Sequence, residues 1–563
     1  MARLSNHAEK GEAISREHAS EAVTNYMAGT SYKLSPLSTL RIVAASSIFG
    51  EPQYYRVAGV ESAPKPVKNM GTLREYSIFS DFWKDPKVTA ADVFTKAIDN
   101  ALDHDFKGTL DLALELRNDY FMRLNPAVIF VRANQHPNRE SFNKENPGFM
   151  RSIGKAIALR PDDLTNQFEY YMYLVGSKKK LSSLMKRTWA SRLEEFSRYQ
   201  LNKYKGKRLI DLVRISHANS DDINELMKTG TLVVSETEQT WESMRSAGKT
   251  WREILETIDM PHMALLRNLR GIFTEIKDTA AAKEILEALK GGVLKGKQFP
   301  FRYFSAYRAV ESEGSVNHKA LIMDALEECM DIAVANMPKL DGRTICLSDN
   351  SGSSWGAFNS EYGTVKVAEI ANLSSLITAM QSDEGEIGVF GDGLIIQPVS
   401  KRNGLLKQHA DVNAIEGKHR RVGGGTENGI WMFWNKAIKE KIHYDNVFIY
   451  SDMQAGHGGL YGINSGEYRE FIHGRSGRHI DVLKLVTKYR QTVNPKVNVF
   501  SVQVAGYDNS VLPENLYRGA ILAGWTGKEC QYAKAVIDIW NEIEGAKPEK
   551  KTRKVAPKMK AKI

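Results

Sequence analysis

The chain has 563 residues, 42% of them hydrophobic and 26% charged, with 9 Trp, 22 Tyr and 21 Phe. Such a composition builds a folded protein of several domains at roughly 100–200 residues each and excludes global disorder. No apolar run reaches the roughly 18 residues of a membrane span, so no membrane partner is expected. The first twenty residues have no apolar signal-peptide core. Cys329, Cys346 and Cys530 lie far apart, without CxxC or Cys/His spacing. This excludes a disulfide scaffold or zinc finger and leads us to expect a reducing, cytoplasmic setting. Net charge is +10, but the last nineteen residues carry +7 of it. Global charge is therefore weak support for a nucleic-acid partner, and a local cluster would be stronger.

Residues 1–20 form an N-terminal segment. From 21 to 335 the pattern is helical almost throughout, as in 93–116 and 262–290, where apolar residues recur three and four apart. Short polar breaks separate these runs at Gly108, Pro137 to Pro147, Arg160-Pro161, Gly176 and Met260-Pro261. Many helices joined by short turns predict stacked hairpins or a solenoid, although no clean repeat period is visible.

Within this region, residues 176–208 hold eleven Lys/Arg against Glu194 and Glu195. They include Lys178, Lys179, Lys180, Lys186, Arg187, Lys203, Lys207 and Arg208. Leu181, Leu184, Met185, Trp189, Leu193 and Phe196 keep helical spacing, so one face can be buried while the charges project outward. Basic charge beside tyrosines suits RNA phosphates and unstacked bases. A solvated helix face is the competing reading, and composition leaves both open.

After Pro338 the pattern changes. TICLSD (344–349) reads as a strand, 365–381 as a helix, and 386–400 as one or two strands. A helix over 428–441, the strand NVFIYSD (446–452), a helix over 479–493, a strand over 496–506 and a last helix from Lys528 follow. This alternation over 336–545 predicts a mostly parallel, doubly wound sheet with helices on both faces. Residues 546–563 form a basic tail that reads as disordered.

The first of these strands ends in Asp349-Asn350-Ser351-Gly352-Ser353. A strand delivers Asp349 to the carboxyl edge of the sheet, and the turn after it can aim both hydroxyls at one point. That is a hard-oxygen site suited to Mg²⁺ or Mn²⁺. Gly423-Gly424-Gly425-Thr426 and Asp452 supply matching groups from two further strand-end loops. Alone, the pentapeptide reads as a turn and helix cap. With all three pieces in order, the site resembles the metal-ion-dependent adhesion site of von Willebrand factor A domains. The resemblance implies direct ligation by Ser351, Ser353 and Thr426, with Asp349 and Asp452 acting largely through waters. The expected cofactor is a divalent cation, Mg²⁺. No GxxxxGK[ST] or GxGxxG occurs to support a nucleotide site.

Two passages of the helical region resemble the TROVE module of Ro ribonucleoproteins. One runs from Tyr199-Gln200-Leu201-Asn202-Lys203-Tyr204 to His217, and the other is Met260 to Arg270. Residues 40–56 and 299–310 resemble the opening and end of the module. The implied architecture is multidomain: an all-α ring of HEAT-like helical repeats over 21–335, then a von Willebrand factor A domain over 336–545 that bridges the ring's ends. The resemblance further implies that small noncoding Y-like RNA binds the basic outer surface. Single-stranded ends of misfolded RNA would thread the ring. Family RNA contacts map onto Lys203, onto Lys207 or Arg208, and onto His217. Arg267 and Arg270 are candidates for the inner lining, because Leu265, Leu266 and Leu269 already supply that helix's apolar stripe.

The function expected from these features is non-catalytic: a ribonucleoprotein scaffold in RNA quality control, monomeric, with an exoribonuclease as a partner tethered through the RNA. The alternative is a metal-dependent protein-interaction scaffold. A nuclease is disfavoured because two-metal phosphoryl chemistry draws on clustered carboxylates, whereas this site offers mainly hydroxyls.

Overall fold

The computed structural model describes residues 22–24, 30–45, 90–120, 122–177, 181–233, 240–296, 298–357, 366–424, 429–451, 472–473, 479–504, 509–513, 516–524 and 529–543. Two short strands come first, β1 (Ala22–Thr24) and β2 (Thr30–Lys33). The helices α1 (Pro36–Ala45), α2 (Ala90–His104), α3 (Phe106–Asn118), α4 (Leu124–Gln135), α5 (Arg139–Glu145) and α6 (Phe149–Ala156) follow. Next come α7 (Pro161–Val175), α8 (Ser183–Leu193), α9 (Arg198–Lys203), α10 (Lys207–Ser216), α11 (Asp221–Thr229) and α12 (Trp241–Ser246). The array ends with α13 (Trp251–Thr257), α14 (His262–Glu275), α15 (Thr279–Gly291), α16 (Val293–Gly296), α17 (Pro300–Glu311) and α18 (Lys319–Ala335).

The short helices begin where the sequence offers a cap. Ser182, Ser197, Ser220, Thr240, Thr250 and Asp278 each accept a hydrogen bond from the backbone N–H three residues on. Each such cap stabilises a helix start by about 1 kcal/mol. Pro161 sits in the first turn of α7, and Gly176 ends that helix in the left-handed conformation. Of the breaks read in the sequence, Arg160-Pro161, Gly176 and Met260-Pro261 are helix ends, whereas Gly108 lies in the first turn of α3 and the stretch 137–147 holds α5. The runs 93–116 and 262–290 are each two helices, parted at Asp105 and around Asp278, both of which cap the second helix. The basic stretch likewise divides into α8, α9 and the start of α10.

The C-terminal half is an α/β unit. Its strands are β3 (Leu340–Asp349), β4 (Ser382–Phe390), β5 (Leu394–Pro398), β6 (Asn446–Ser451), β9 (Asn498–Gln503) and β11 (Gly519–Ala523). They form one sheet in the order β11-β9-β6-β3-β4-β5, parallel except for the edge strand β5. The helices are α19 (Val367–Met380), α20 (Leu405–Gly417), α21 (Gly429–Lys439), α22 (Val482–Thr492) and α23 (Glu529–Ile543). Every residue of β6 and β9 is buried, as in a sheet covered on both faces. Alternate residues serve different cores: Cys346, Phe448 and Phe500 face one, while Ile345, Leu347, Ile449 and Val499 face the other. The pairs β7 (Ile472–His473) with β8 (His479–Ile480), and β2 with β10 (Asn509–Ser510), are antiparallel additions.

Both ends of the helical array pack on the α/β unit. At the N-terminal end, Tyr120 stacks on Tyr532 with ring centroids 5.7 Å apart. There the core of α1–α11 continues into Phe448, Phe500 and Cys530. At the C-terminal end, Gln381 Nε2 donates to the Val334 carbonyl at 2.7 Å, and Phe304 meets the His409 ring edge-on at 5.3 Å. The core of α14–α18 there includes Leu373, Leu376, Ile387 and Val389.

Candidate nucleic-acid interface and metal centre

The sheet order turns back on either side of β3. The chain goes from β3 to β4 on one side, and later to β6 on the other. The carboxyl ends of β3 and β6 therefore flank the switch point, where ligands bind in open α/β sheets. Asp349 ends β3 and Ser451 ends β6. Asp349 Oδ1 accepts from the Ser351 N–H at 2.9 Å, and Oδ2 accepts from the Ser451 hydroxyl at 2.8 Å. The Ser351 and Ser353 hydroxyls stand 3.0 Å apart. The Gly352 N–H donates to the Gly424 carbonyl at 2.7 Å, so the glycine loop leading to Thr426 lies against this turn. Thr426 and Asp452 lie outside the described residues. Among the described residues no group of three or more His, Cys, Asp or Glu gathers. What does gather at the edge is a carboxylate and hydroxyls, the donor type that Mg²⁺ takes.

Sequence reading missed the groups that hold this turn. Glu416 on α20 accepts from the Val422 and Gly423 N–H groups at 2.9 and 3.1 Å, which fixes the start of the glycine loop. Asn350 is fully buried and exchanges amide hydrogen bonds with Asn372 at 2.8 and 3.0 Å. Asn372 also accepts from the Ser348 hydroxyl at 2.7 Å and donates to Asn413 at 2.8 Å. The Asn413 amide reaches the His409 ring, whose Nε2 donates to the Glu369 carbonyl at 2.6 Å. Burial drives the His409 pKa down to about 4. This ladder of amides runs from the strand-end turn to α20, where it meets the C-terminal end of the helical array.

The basic region is more neutralised than its sequence suggests. Lys203 Nζ donates to Glu242 at 2.9 Å. Burial opposes the Lys203 charge, but Glu242 and the Tyr199 hydroxyl outweigh it and raise its pKa. Arg208 pairs with Glu169 on α7, and Arg198 with Asp222 and Glu225 on α11. The side chains of Lys186, Arg187 and Lys207 have neither an ion pair nor a hydrogen bond among the described residues. Lys178, Lys179 and Lys180 lie outside them. His217 is exposed and ends α10 in the left-handed conformation, with φ 60°. It therefore sits at the opposite end of the helix from Lys207 and Arg208, roughly 15 Å away at 1.5 Å per residue. The sequence pattern places these three on one helix, not on one spot.

On α14, Leu265, Leu266 and Leu269 are buried and Arg267 and Arg270 are exposed, as the stripe requires. Arg270 lies 3.7 Å from Glu313, and Arg267 makes no ion pair among the described residues. Asn268 Nδ2 donates to the Ala264 carbonyl of its own helix at 2.8 Å.

Residues 224–340 match the family model of the TROVE domain. The chain carries a TROVE domain. The crystal structure of the Ro (RSR) protein of Deinococcus radiodurans is similar with a TM-score of 0.54 and 16% sequence identity, covering 78% of this chain and 93% of that one. No curated protein matches this chain. The TROVE match and the shared fold support the Ro ribonucleoprotein resemblance. Arg267 and Arg270 fall inside the TROVE match, whereas the basic stretch precedes it.

Proposed function

We propose that this TROVE protein is a non-catalytic RNA-binding scaffold. It takes structured small RNA of the Y type on the basic surface of α8–α10 and single-stranded ends of misfolded RNA along α14. The observation that carries this reading is that Lys186, Arg187 and Lys207 keep their charge free of carboxylate partners on a surface otherwise laced with ion pairs. Free ammonium and guanidinium groups displace counterions from phosphates without first giving up a partner. Packing of both array ends on the α/β unit supports a closed ring, which admits one strand and turns away a duplex.

At the sheet edge, Ser351, Ser353 and Thr426 would hold Mg²⁺, with Asp349 and Asp452 behind bridging waters. The bound ion would supply an open coordination position for a carboxylate of a partner. The second reading, a metal-dependent protein-interaction scaffold, draws on this edge, which is built from different elements than the basic surface. A cytoplasmic monomer that presents RNA-tethered substrate to an exoribonuclease completes the proposal. The test is binding of a stem-loop RNA across a salt series. Affinity should fall steeply with salt, and Lys207→Ala should flatten the log–log slope by roughly 0.7–0.9. A slope near zero, or one unaltered by Lys207→Ala and Arg187→Ala together, would overturn it.

A further inference from the structure

A cavity of about 170 Å³ opens between α10 and α11, lined by Lys205, Lys207, Ile210, Val213, Leu226 and Met227 among others. We infer that it receives a single unstacked nucleobase of a bound RNA, whose flanking phosphates rest on Lys205 and Lys207. The inference deepens the RNA-binding reading and rests on it.

Three observations converge on this occupant. The first is charge. Of the five cations from Arg198 to Arg208, Arg198, Lys203 and Arg208 are each bound to a carboxylate. The remaining two are the two that line the cavity. Lys205 touches the Thr231 hydroxyl at 2.7 Å, and the Lys207 side chain has no hydrogen bond or ion pair among the described residues. The positive charge left without a carboxylate between Arg198 and Arg208 thus lies around an apolar hollow. The second is access. A Cβ built on Gly206 or on Gly230, both of which line the cavity, would meet nothing within 4 Å. The third is size and wall chemistry. The volume is below the roughly 300–1,000 Å³ of sites that enclose drug-sized ligands. The aliphatic residues of the lining offer a phosphate no partner, so an anion is held at Lys205 and Lys207 and not among them. A base combines a flat apolar face with an anion on either side, and so matches both parts of the site. An apolar peptide side chain would leave the two lysines without a role.

Apart from the two lysines, the lining carries no side-chain hydrogen-bonding group, so the site selects an unstacked base over a paired one, with little regard to its identity. The experiment compares three RNAs in direct binding: a blunt stem-loop, the same stem-loop with one unpaired uridine, and the same with an abasic nucleotide at that point. The uridine form should bind about tenfold more tightly than the abasic form, within the range of base-stacking contacts. Met227→Phe fills the cavity from α11. Gly206→Leu fills it from the other side at an extended backbone position with φ 170°, which any residue adopts. Each variant, checked for an unchanged melting temperature, should make the uridine and abasic forms bind alike. Lys207→Gln should weaken both and flatten their salt dependence. Equal binding of the uridine and abasic forms by the unaltered protein, or an undiminished preference in both filling variants, would overturn the inference. Failure of all three RNAs to bind would instead overturn the RNA-binding reading.

Discussion

Along the basic stretch of the helical array, charged side chains stand in or near water and pair with carboxylates from neighbouring helices. At the carboxyl edge of the sheet, Asp349, Asn350 and Ser351 are almost wholly buried and are held by amides and hydroxyls. Polar groups at the two places answer to different physics. An exposed ion pair contributes roughly 0–1 kcal/mol, so such partners are exchangeable, and a phosphate can replace Glu242 at little loss. A buried amide left without its partner costs about 1–3 kcal/mol, so the edge is preset and resists rearrangement. The array is suited to ligands of variable shape, and the edge to one small occupant.

The sharpest way to break this contrast is Asn372→Leu. It strips partners from Ser348, Asn350 and Asn413 at once, and should destabilise the protein by about 3 kcal/mol or more in urea denaturation. A loss below about 1 kcal/mol, the value for an exposed pair, would erase the distinction.

Acid should find the same ladder. The folded chain holds His409 neutral down to a pH of about 4, while the unfolded chain takes up a proton near 6.5. Stability should therefore be fully present above 6.5 and decline as pH falls toward 4. The loss should come to a few kcal/mol, because each pH step between those two values is worth about 1.4 kcal/mol. Replacing the imidazole (His409→Gln) should flatten that part of the profile. Arg308 nearby opposes protonation as well, so Arg308→Ala should move the acid transition to lower pH.

Asp349→Ala removes the acceptor for Ser351 and Ser451 and should abolish divalent-cation binding in calorimetry, with RNA affinity within about twofold of the original. A joint loss of both would mean that the edge and the array are one site. Smallest in stability terms is the pair Arg267→Ala and Arg270→Ala. It breaks the exposed 3.7 Å pair with Glu313 and should move the melting point by under about 1 °C. It should nonetheless erase any preference for a stem-loop with a single-stranded 3′ tail over a blunt one. A lowered melting point with the preference intact would make these arginines structural.

The elements that could be read from the sequence were those whose environment is uniform. β3, β6 and β9 are buried on both faces, so their apolar runs stand out, and the order Asp349, Ser351, Ser353 follows from the end of such a run. β11 has no such mark, since Gly519–Ala523 opens on glycine and is only half buried at its start. α20 was also missed: His409, Gln408 and Glu416 are buried there among its leucines and blur the stripe. The carboxylates that neutralise the basic stretch come from α7, α11 and α12, at separations no local pattern reveals. That is why half of the eight described cations of the stretch, Arg192, Arg198, Lys203 and Arg208, are tied to carboxylates. The His217 motif was legible as a spacing, but the spacing is the length of a helix.

The hairpin of β1 and β2 sets a condition on the order of folding. β2 pairs through Tyr32 and Lys33 with Ser510 and Asn509, almost the whole chain away. During synthesis at about 5–20 residues per second, the hairpin waits tens of seconds before β10 emerges. Until then this small sheet keeps an open edge. The helical array can assemble meanwhile from contacts between near neighbours, which form quickly, whereas joining the chain's two extremities is the slow, long-range step. Deletion of residues 509–510 or of 22–33 should therefore show first in refolding yield and kinetics, with the helical content of the array formed at its usual rate.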